Sequence, residues 1–402
     1  MADPLSARVV GLYNRILDEP HNSGIVAELA ICLADSGVRR DVNVRSADIA
    51  SSGGPGSLST LLCPLHLVDI GLTVPKIGVP GRPAGGIDVL GAIPGYRTHL
   101  SPVEFDDVVT TVGYAHVLAD ETWAPADAAL FRLRQERGTQ ANPALAAASL
   151  LAKKLAAGVQ IAALDVRVAK YGNFGATTIE ARKSAGLYCD AGLQLGLRPV
   201  VFLTDNSVPY QPFIGRSEAM RGIAMVALGD IEDEWLNGHA RMCLEMARIV
   251  ESFAPPPSAE TAAPLAGAGI VDILAAHLGS QGCSLAALDA QVSWNAAQAR
   301  QLVYAAEDGF VHYDLSAIRD LILGLNRPEN GQRGSLVGVA DYLDLAGARL
   351  LCPPDRKVRR GEAVVELRGW PGPAAAFAKF EMFTIEEFSA GKPNIIQEVV
   401  TP

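Results

Sequence analysis

The chain begins with apolar residues at helical spacing. Between residues 6 and 37 they recur every three or four positions, with a break at Pro20. This pattern predicts two short helices that end near Gly37. Residues 126–158 show the same spacing in an alanine-rich stretch that ends at Gly158, so a further helical segment is predicted there.

Short runs of β-branched and other apolar residues predict buried strands. Residues 72–78 and 160–168 are such runs, and a predicted helix over 177–195 is followed by a strand over 199–204. Strands that are joined through helices in this way lie parallel, with helices packed on the sheet. The pattern therefore predicts a parallel, helix-covered sheet.

Two glycine-rich loops follow predicted strands. The first loop, residues 49–57, leads into an apolar helical run over 58–67, and the second spans residues 79–86. Backbone N–H groups in such loops and the positive end of a helix both attract anions. Two loops of this kind predict one shared anion or ligand site.

The last part of the chain changes character. Apolar runs over 347–351 and 362–367 predict short strands on either side of a basic turn at 355–361. A proline- and alanine-rich stretch, residues 253–269, is predicted to be a linker or exposed loop.

These elements predict an α/β fold with three domains. A small all-helical domain is expected from residues 1–42 and 126–156. A large α/β domain with a mixed, mostly parallel sheet is expected from residues 43–125 and 157–320. Residues 321–402 are expected to form a small C-terminal α+β domain.

Composition narrows the class of protein. The 402 residues are 49% hydrophobic and 19% charged, which is typical of a folded enzyme and excludes wholesale disorder. A net charge of -10 argues against binding to nucleic acid or to an anionic membrane as the main function. The N-terminus has no apolar stretch of signal-peptide length, so we expect a cytoplasmic protein.

The cysteines and histidines show no metal-binding spacing. The sequence contains no CxxC, HxH or HExxH motif. We expect reduced thiols, no metal site and no cofactor.

Several short motifs occur in an order that is typical of one enzyme family. They are Asp35-Ser36-Gly37, Ser51-Ser52-Gly53-Gly54-Pro55-Gly56, Ala124-Pro125-Ala126-Asp127, Arg134, Ser149-Leu150-Leu151-Ala152-Lys153-Lys154, Asp165-Val166, Thr204-Asp205 and Val358-Arg359-Arg360-Gly361-Glu362. From about Ile25 onward the chain resembles the pyrimidine nucleoside phosphorylases of the thymidine phosphorylase type.

The resemblance implies a reaction. In that family a pyrimidine nucleoside and inorganic phosphate bind in a cleft between a small helical domain and a large α/β domain. Phosphate then displaces the base from C1 of the sugar. Negative charge grows on the departing base, so cationic donors at its carbonyl groups stabilise the transition state.

The resemblance also implies residues for the base. Arg134, Ser149 and Lys153 match the family's three donors, with Arg134 and Lys153 as the catalytic cations. Ser149 and Lys153 are four positions apart, so on a helix both project from one face. The alternative is that Lys153 belongs to a solvated helix end and Arg134 to the surface. Asp165 and Phe174 are further substrate-binding candidates; a structural carboxylate and a core aromatic are the alternatives.

The phosphate end departs from the family pattern. Where the family loop begins Lys-His, this chain has Ile49-Ala50, which removes a cation and an imidazole. The remaining candidates for phosphate or sugar are loop hydroxyls, loop glycines and two cations that could restore the lost charge. They are Ser51, Ser52, Gly53, Gly54, Thr60, Lys76 and Arg82.

We therefore expect a pentosyltransferase of the nucleoside phosphorylase type, which cleaves the N-glycosidic bond of a pyrimidine nucleoside or analogue. Phosphate is the acceptor that the family implies. A phosphate-independent hydrolase or transferase and a non-catalytic nucleoside-binding protein are the alternatives. A homodimer is expected from the same resemblance.

Overall fold

The structure is a computed structural model that describes residues 5–81, 83–229, 232–325, 344–354, 356–369, 381–389 and 395–402. These residues form thirteen helices: α1 Ala7–Asp18, α2 Ser23–Ala34, α3 Ser59–Asp69, α4 Ile87–Gly91, α5 Pro102–Val112, α6 Pro125–Glu136, α7 Pro143–Ala157, α8 Thr178–Gln194, α9 Arg216–Ala227, α10 Glu234–Glu251, α11 Ile270–Ser280, α12 Leu285–Ala296 and α13 Leu315–Leu325.

The same residues form thirteen strands. They are β1 Ala47–Ser51, β2 Val74–Gly78, β3 Tyr114–Leu118, β4 Ile161–Val168, β5 Arg198–Asp205, β6 Phe213–Ile214, β7 Arg300–Tyr304, β8 Gly309–Tyr313, β9 Gly347–Leu350, β10 Lys357–Val358, β11 Ala363–Arg368, β12 Phe383–Glu386 and β13 Ile396–Val400.

The central sheet is mixed and mostly parallel. Strands β1, β4 and β5 pair in parallel, and β13 adds antiparallel to β5. Strands β2 and β3 form a parallel pair that joins β1 through the backbone of Thr73, which accepts from Ala47 N (2.9 Å) and donates to Arg45 O (3.1 Å). The spatial order is β3-β2-β1-β4-β5-β13. The α/β class and the parallel, helix-covered sheet are confirmed.

Alternating side chains bury both faces of this sheet. On β4, Ile161 and Ala163 join a hydrophobic cluster with α3 and α10. The intervening Ala162 and Leu164 join a second cluster with α2, α7 and α8. Because both faces of the sheet are buried, most residues of its central strands are apolar.

The helical segment predicted over residues 126–158 is two helices. Helix α6 ends at Glu136, and Gly138 follows with φ of +68°. The Asn142 side chain then caps α7 by accepting from Leu145 N, and Pro143 takes the first helical position. A glycine after one helix, and an N-cap asparagine followed by proline at the start of the next, are typical of a break between two helices.

The remaining strands form two antiparallel sheets. Their orders are β6-β9-β11-β7 and β10-β8-β12. Strands β9 and β11 correspond to the predicted runs at 347–351 and 362–367. Residues 253–269 contain no helix or strand, as predicted.

Among the described residues no single helix is both long and apolar enough to cross a membrane. Helices α11 and α12 meet those criteria only when taken together, and they are bent by 95° relative to each other.

The end of α7 depends on a glycine. Gly158 has φ of +71°, and a Cβ there would overlap the Asp41 carbonyl oxygen. We expect Gly158→Ala to lower the free energy of unfolding by about 1–3 kcal/mol, measured by urea titration. Gly186→Ala is the matched control, since a Cβ in that helical position meets nothing within 4 Å. An equal loss in both variants would contradict the prediction.

Candidate active site

A cavity of about 370 Å³ lies at the carboxyl ends of β1, β2 and β4. Strand β1 has β2 on one side and β4 on the other, so the chain changes direction across the sheet at this point. In open α/β sheets such a switch point is where ligands bind. Both glycine-rich loops and one face of α7 contribute to the cavity wall.

A buried carboxylate forms the base of the cavity. Asp48 on β1 accepts hydrogen bonds from Lys76 Nζ of β2 and from Lys154 Nζ of α7, one on each carboxylate oxygen. Lys76 also donates to the backbone oxygen of Ile49 at 3.1 Å. All three ionised side chains are almost fully buried. Two ammonium groups on one carboxylate leave one positive charge here.

Burial and pairing compete in setting the charges. Burial opposes ionisation of Asp48, but the charges of Lys154 and Lys76 outweigh it and lower the pKa of Asp48 to about 2. Burial lowers the pKa of Lys154 to about 8, although Asp48 acts in the opposite direction. The carboxylate is therefore ionised at neutral pH.

The helical wall carries a second cationic group. Lys153 Nζ on α7 donates to the Asp127 carboxylate of α6 and to Ser149 Oγ at 2.8 Å. Both Lys153 and Ser149 are buried. Phe131 and Leu150 line the cavity beside Lys153 and give this wall an apolar surface.

The first glycine-rich loop is fastened by an ion pair. Arg167 donates through Nη1 to Gly54 O at 2.6 Å and through Nε to Asp165 at 3.2 Å. Asp165 also accepts from Ser59 Oγ at 2.8 Å and from Thr204 Oγ1 at 2.7 Å. These bonds attach the loop to β4 beside the cavity.

The second loop is held in the same way. Asp88 accepts from the backbone N–H of Gly81 (3.2 Å) and of Gly85 (3.0 Å), and from Arg216 Nε at 2.6 Å. His116, on β3, lines the cavity next to this loop. Burial and the charge of Lys76 lower the pKa of His116 well below its ordinary value, so its imidazole is neutral at pH 7.

Most of the predicted site residues come together in this cavity. Its lining includes Ser51, Ser52, Gly53, Gly54, Thr60, Lys76 and Lys153. Lys76 lies on strand β2, within the strand predicted over residues 72–78. Arg82 lies outside the described residues.

Four predicted residues lie behind the cavity wall and not in it. Ser149 does not line the cavity, but its hydroxyl accepts a hydrogen bond from Lys153, which does. Arg134 is buried and donates to Gln140 O at 2.6 Å; burial lowers its pKa, and nearby Asp127 opposes this effect. Asp165 fastens the first loop, and Phe174 is part of a hydrophobic cluster.

The lining also includes residues that were not among the predicted site residues. Those with a role in the site are Asp48, His116, Phe131, Leu150 and Lys154. The spacing of Leu150, Lys153 and Lys154 at i, i+3 and i+4 was the available signal for α7, because it places them on one helical face. An aspartate inside an apolar strand was the signal for Asp48.

The chain is similar in sequence to pyrimidine-specific phosphorylases. No family model matches it. It is 34% identical to the thymidine phosphorylase of Agrobacterium fabrum, over 47% of this chain and 44% of that protein. It is 29% identical to the pyrimidine-nucleoside phosphorylase of Geobacillus stearothermophilus, over 53% of this chain and 49% of that protein. The resemblance predicted from the motifs is confirmed.

The sequence similarity extends over only part of each relative. The thymidine phosphorylase of Mycobacterium tuberculosis is 29% identical over 58% of this chain and 54% of that protein. The chain spans about half the length of the curated relatives that it matches. Among solved structures, it is similar to the anthranilate phosphoribosyltransferase from Saccharomyces cerevisiae in complex with PRPP and Mg, which is 13% identical. The two match with a TM-score of 0.47 over 70% of this chain and 83% of the other.

Replacing Asp48 removes the carboxylate that holds two buried ammonium groups. We expect Asp48→Ala to lower the free energy of unfolding by about 3–5 kcal/mol at pH 7, because an uncompensated buried charge remains. Urea unfolding followed by circular dichroism measures the change. The control is Asp35→Ala, which breaks an exposed pair with Arg39 and should cost at most about 1 kcal/mol. Similar losses in both variants would contradict the role of Asp48.

The same carboxylate predicts a pH dependence. The pKa of Asp48, about 2 in the folded protein, lies below its ordinary value of 3.8. Its ionisation therefore stabilises the fold above about pH 4, and this contribution is lost as the pH falls toward 2. The difference in free energy of unfolding between the wild type and Asp48→Asn should narrow over that interval. A difference that stays constant would show that Asp48 has an ordinary pKa.

Proposed function

We propose that the protein is a nucleoside phosphorylase-like pentosyltransferase that cleaves the N-glycosidic bond of a pyrimidine nucleoside or a close analogue. The observation that carries the proposal is the placement of two cationic groups at different walls of one cavity. Lys153 lies on the helical wall, with Ser149 hydrogen-bonded behind it. Lys76 on β2 and Lys154 on α7 meet at Asp48, near the ends of the strands.

The helical wall suits the base. A pyrimidine is flat and carries carbonyl oxygens, so it needs apolar surfaces for its faces and donors for its edge. Phe131 and Leu150 supply apolar surface, and Lys153 supplies a charged N–H donor beside the Ser149 hydroxyl. When the glycosidic bond breaks, charge develops on the base, and the Lys153 ammonium stabilises it.

Asp127 and Arg134 act behind this donor. Asp127 holds the Lys153 ammonium, and its charge acts on the buried Arg134 guanidinium. In this proposal Arg134 tunes the electrostatics of the base site through Asp127 and keeps its guanidinium out of the cavity.

The strand end suits an anionic acceptor such as phosphate. The family's loop lysine is replaced here by Ile49, yet Lys76 reaches from the neighbouring strand and donates to the backbone oxygen of that residue. Lys154 adds a second ammonium, and Asp48 neutralises only one of the two. The net positive charge and the open glycine loops favour phosphorolysis over attack by water.

A homodimer and a cytoplasmic location belong to the same proposal. Both derive from the sequence and its resemblance to the phosphorylases, and they stay predictions.

The reaction is tested by base release. The protein is incubated with uridine, thymidine and deoxyuridine, with and without inorganic phosphate, and the free base is measured. Release that requires phosphate supports the proposal. Release at the same rate without phosphate would identify a hydrolase, and nucleoside binding without release would identify a non-catalytic protein; both results reject phosphorolysis.

Lys153 should be required for turnover. We expect Lys153→Met to lower kcat/KM for the nucleoside by about 100-fold or more, since a donor to the developing charge is lost. Lys183→Met on the exposed side of α8 is the matched control and should leave kcat/KM unchanged. Circular dichroism confirms that both variants are folded. Because Lys153→Met leaves Asp127 unpaired, Ser149→Ala provides an independent test and should also lower kcat/KM. Unchanged turnover in both site variants would reject the base site.

A further inference from the structure

His116 is a buried polar group that the mechanism above does not use. Its side chain lines the cavity and is 1% exposed, and Nε2 has no hydrogen-bond partner among the described residues. Buried polar atoms are almost always paired, so an orphan nitrogen in a cavity wall indicates a missing partner. The ligand is the natural partner at this position.

Two glycines pack closely against the imidazole. A Cβ at Gly78 would lie 2.6 Å from Nε2, and a Cβ at Gly86 would lie 2.7 Å from Cε1. Both glycines line the cavity. Only residues without a side chain fit next to this ring, so the imidazole packs directly against the backbone at both glycines.

The backbone of His116 is fixed on both sides. Its N–H donates to Gln281 Oε1 at 2.9 Å, and its carbonyl oxygen accepts from Gln281 Nε2 at 2.9 Å and from Tyr96 Oη at 3.1 Å. On the parallel pair β2–β3, His116 is the register partner of Lys76. The imidazole is therefore a preorganised group beside the cationic end of the cavity.

Tyr114 sets the tautomer of the ring. Tyr114 Oη lies 3.2 Å from His116 Nδ1 and has no other hydrogen-bond partner among the described residues. Burial raises the pKa of Tyr114, so the phenol keeps its proton. Nδ1 is the acceptor that the described residues offer this hydroxyl, so the arrangement that leaves no buried hydroxyl proton unpaired is Oη–H donating to Nδ1. A neutral imidazole carries one proton, and in this arrangement that proton is on Nε2.

On the basis of the proposed pentosyltransferase function, we propose that His116 Nε2–H donates a hydrogen bond to an oxygen of the anionic acceptor. His116, Lys76 and Thr60 then form the acceptor subsite, and residues 78–81 and 84–86 form its wall. His116 is a specificity-determining residue for the acceptor and not for the nucleoside.

The direct test is calorimetric binding of inorganic phosphate to the full-length protein. We expect His116→Ala to raise the Kd for phosphate by about tenfold or more, the cost of a hydrogen bond to a charged group. His116→Asn keeps an N–H donor and should recover part of this affinity. Tyr114→Phe removes the group that fixes the tautomer and should weaken binding as well. Circular dichroism verifies that each variant is folded.

His66 offers a matched control. It is also a buried histidine with an unpaired Nε2, but it does not line the cavity. His66→Asn should bind phosphate like the wild type. Equal Kd values for the wild type, His116→Ala and His116→Asn would overturn the inference, as would a wild type that does not bind phosphate.

Steady-state kinetics separates this inference from the proposed function. His116→Ala should raise KM for phosphate and leave KM for the nucleoside unchanged. Phosphate-dependent base release with an unchanged phosphate KM would reject the role of His116 and keep the phosphorylase. Base release without phosphate dependence, together with phosphate binding that requires His116, would reject the phosphorylase and uphold the subsite.

Discussion

The interaction on which the site depends is the contact of one buried carboxylate with two buried ammonium groups. Asp48, Lys76 and Lys154 come from β1, β2 and α7, so their hydrogen bonds join two strands and a helix at one point. Desolvating three charges is costly and is tolerated only when every charge has a partner. These hydrogen bonds fix α7 against the sheet. They thereby place Lys153 on one wall of the cavity, with Ser149 hydrogen-bonded behind it, and leave an excess positive charge at the base.

The two glycine-rich loops are fixed by the same kind of interaction. In each, a buried aspartate binds an arginine: Asp165 with Arg167 and Asp88 with Arg216. Arg167 then binds a carbonyl group of the first loop, and Asp88 binds N–H groups of the second. Flexible loops thereby become rigid walls, which reduces the entropy that a bound ligand must overcome.

Much of the fold and part of the site could be predicted from the sequence, because local spacing carries that information. Strand runs, the glycine loops and the i, i+4 relation of Ser149 to Lys153 are local patterns. Asp48 and Lys154 are 106 positions apart in the sequence, so their pairing could not be predicted from local spacing. A lysine pair at a helix end is also typical of a solvated surface, so the burial of Lys154 depends on the tertiary contact with Asp48.

In the proposed function, one cavity holds a pyrimidine at its helical wall and an oxyanion at its strand ends. A crystal structure with a pyrimidine nucleoside and inorganic phosphate tests it most directly. The expected result is electron density for the heterocycle next to Lys153 and Ser149, and for phosphate next to Lys76. Heterocycle density at the strand ends, or both ligands outside the cavity, would contradict the claim.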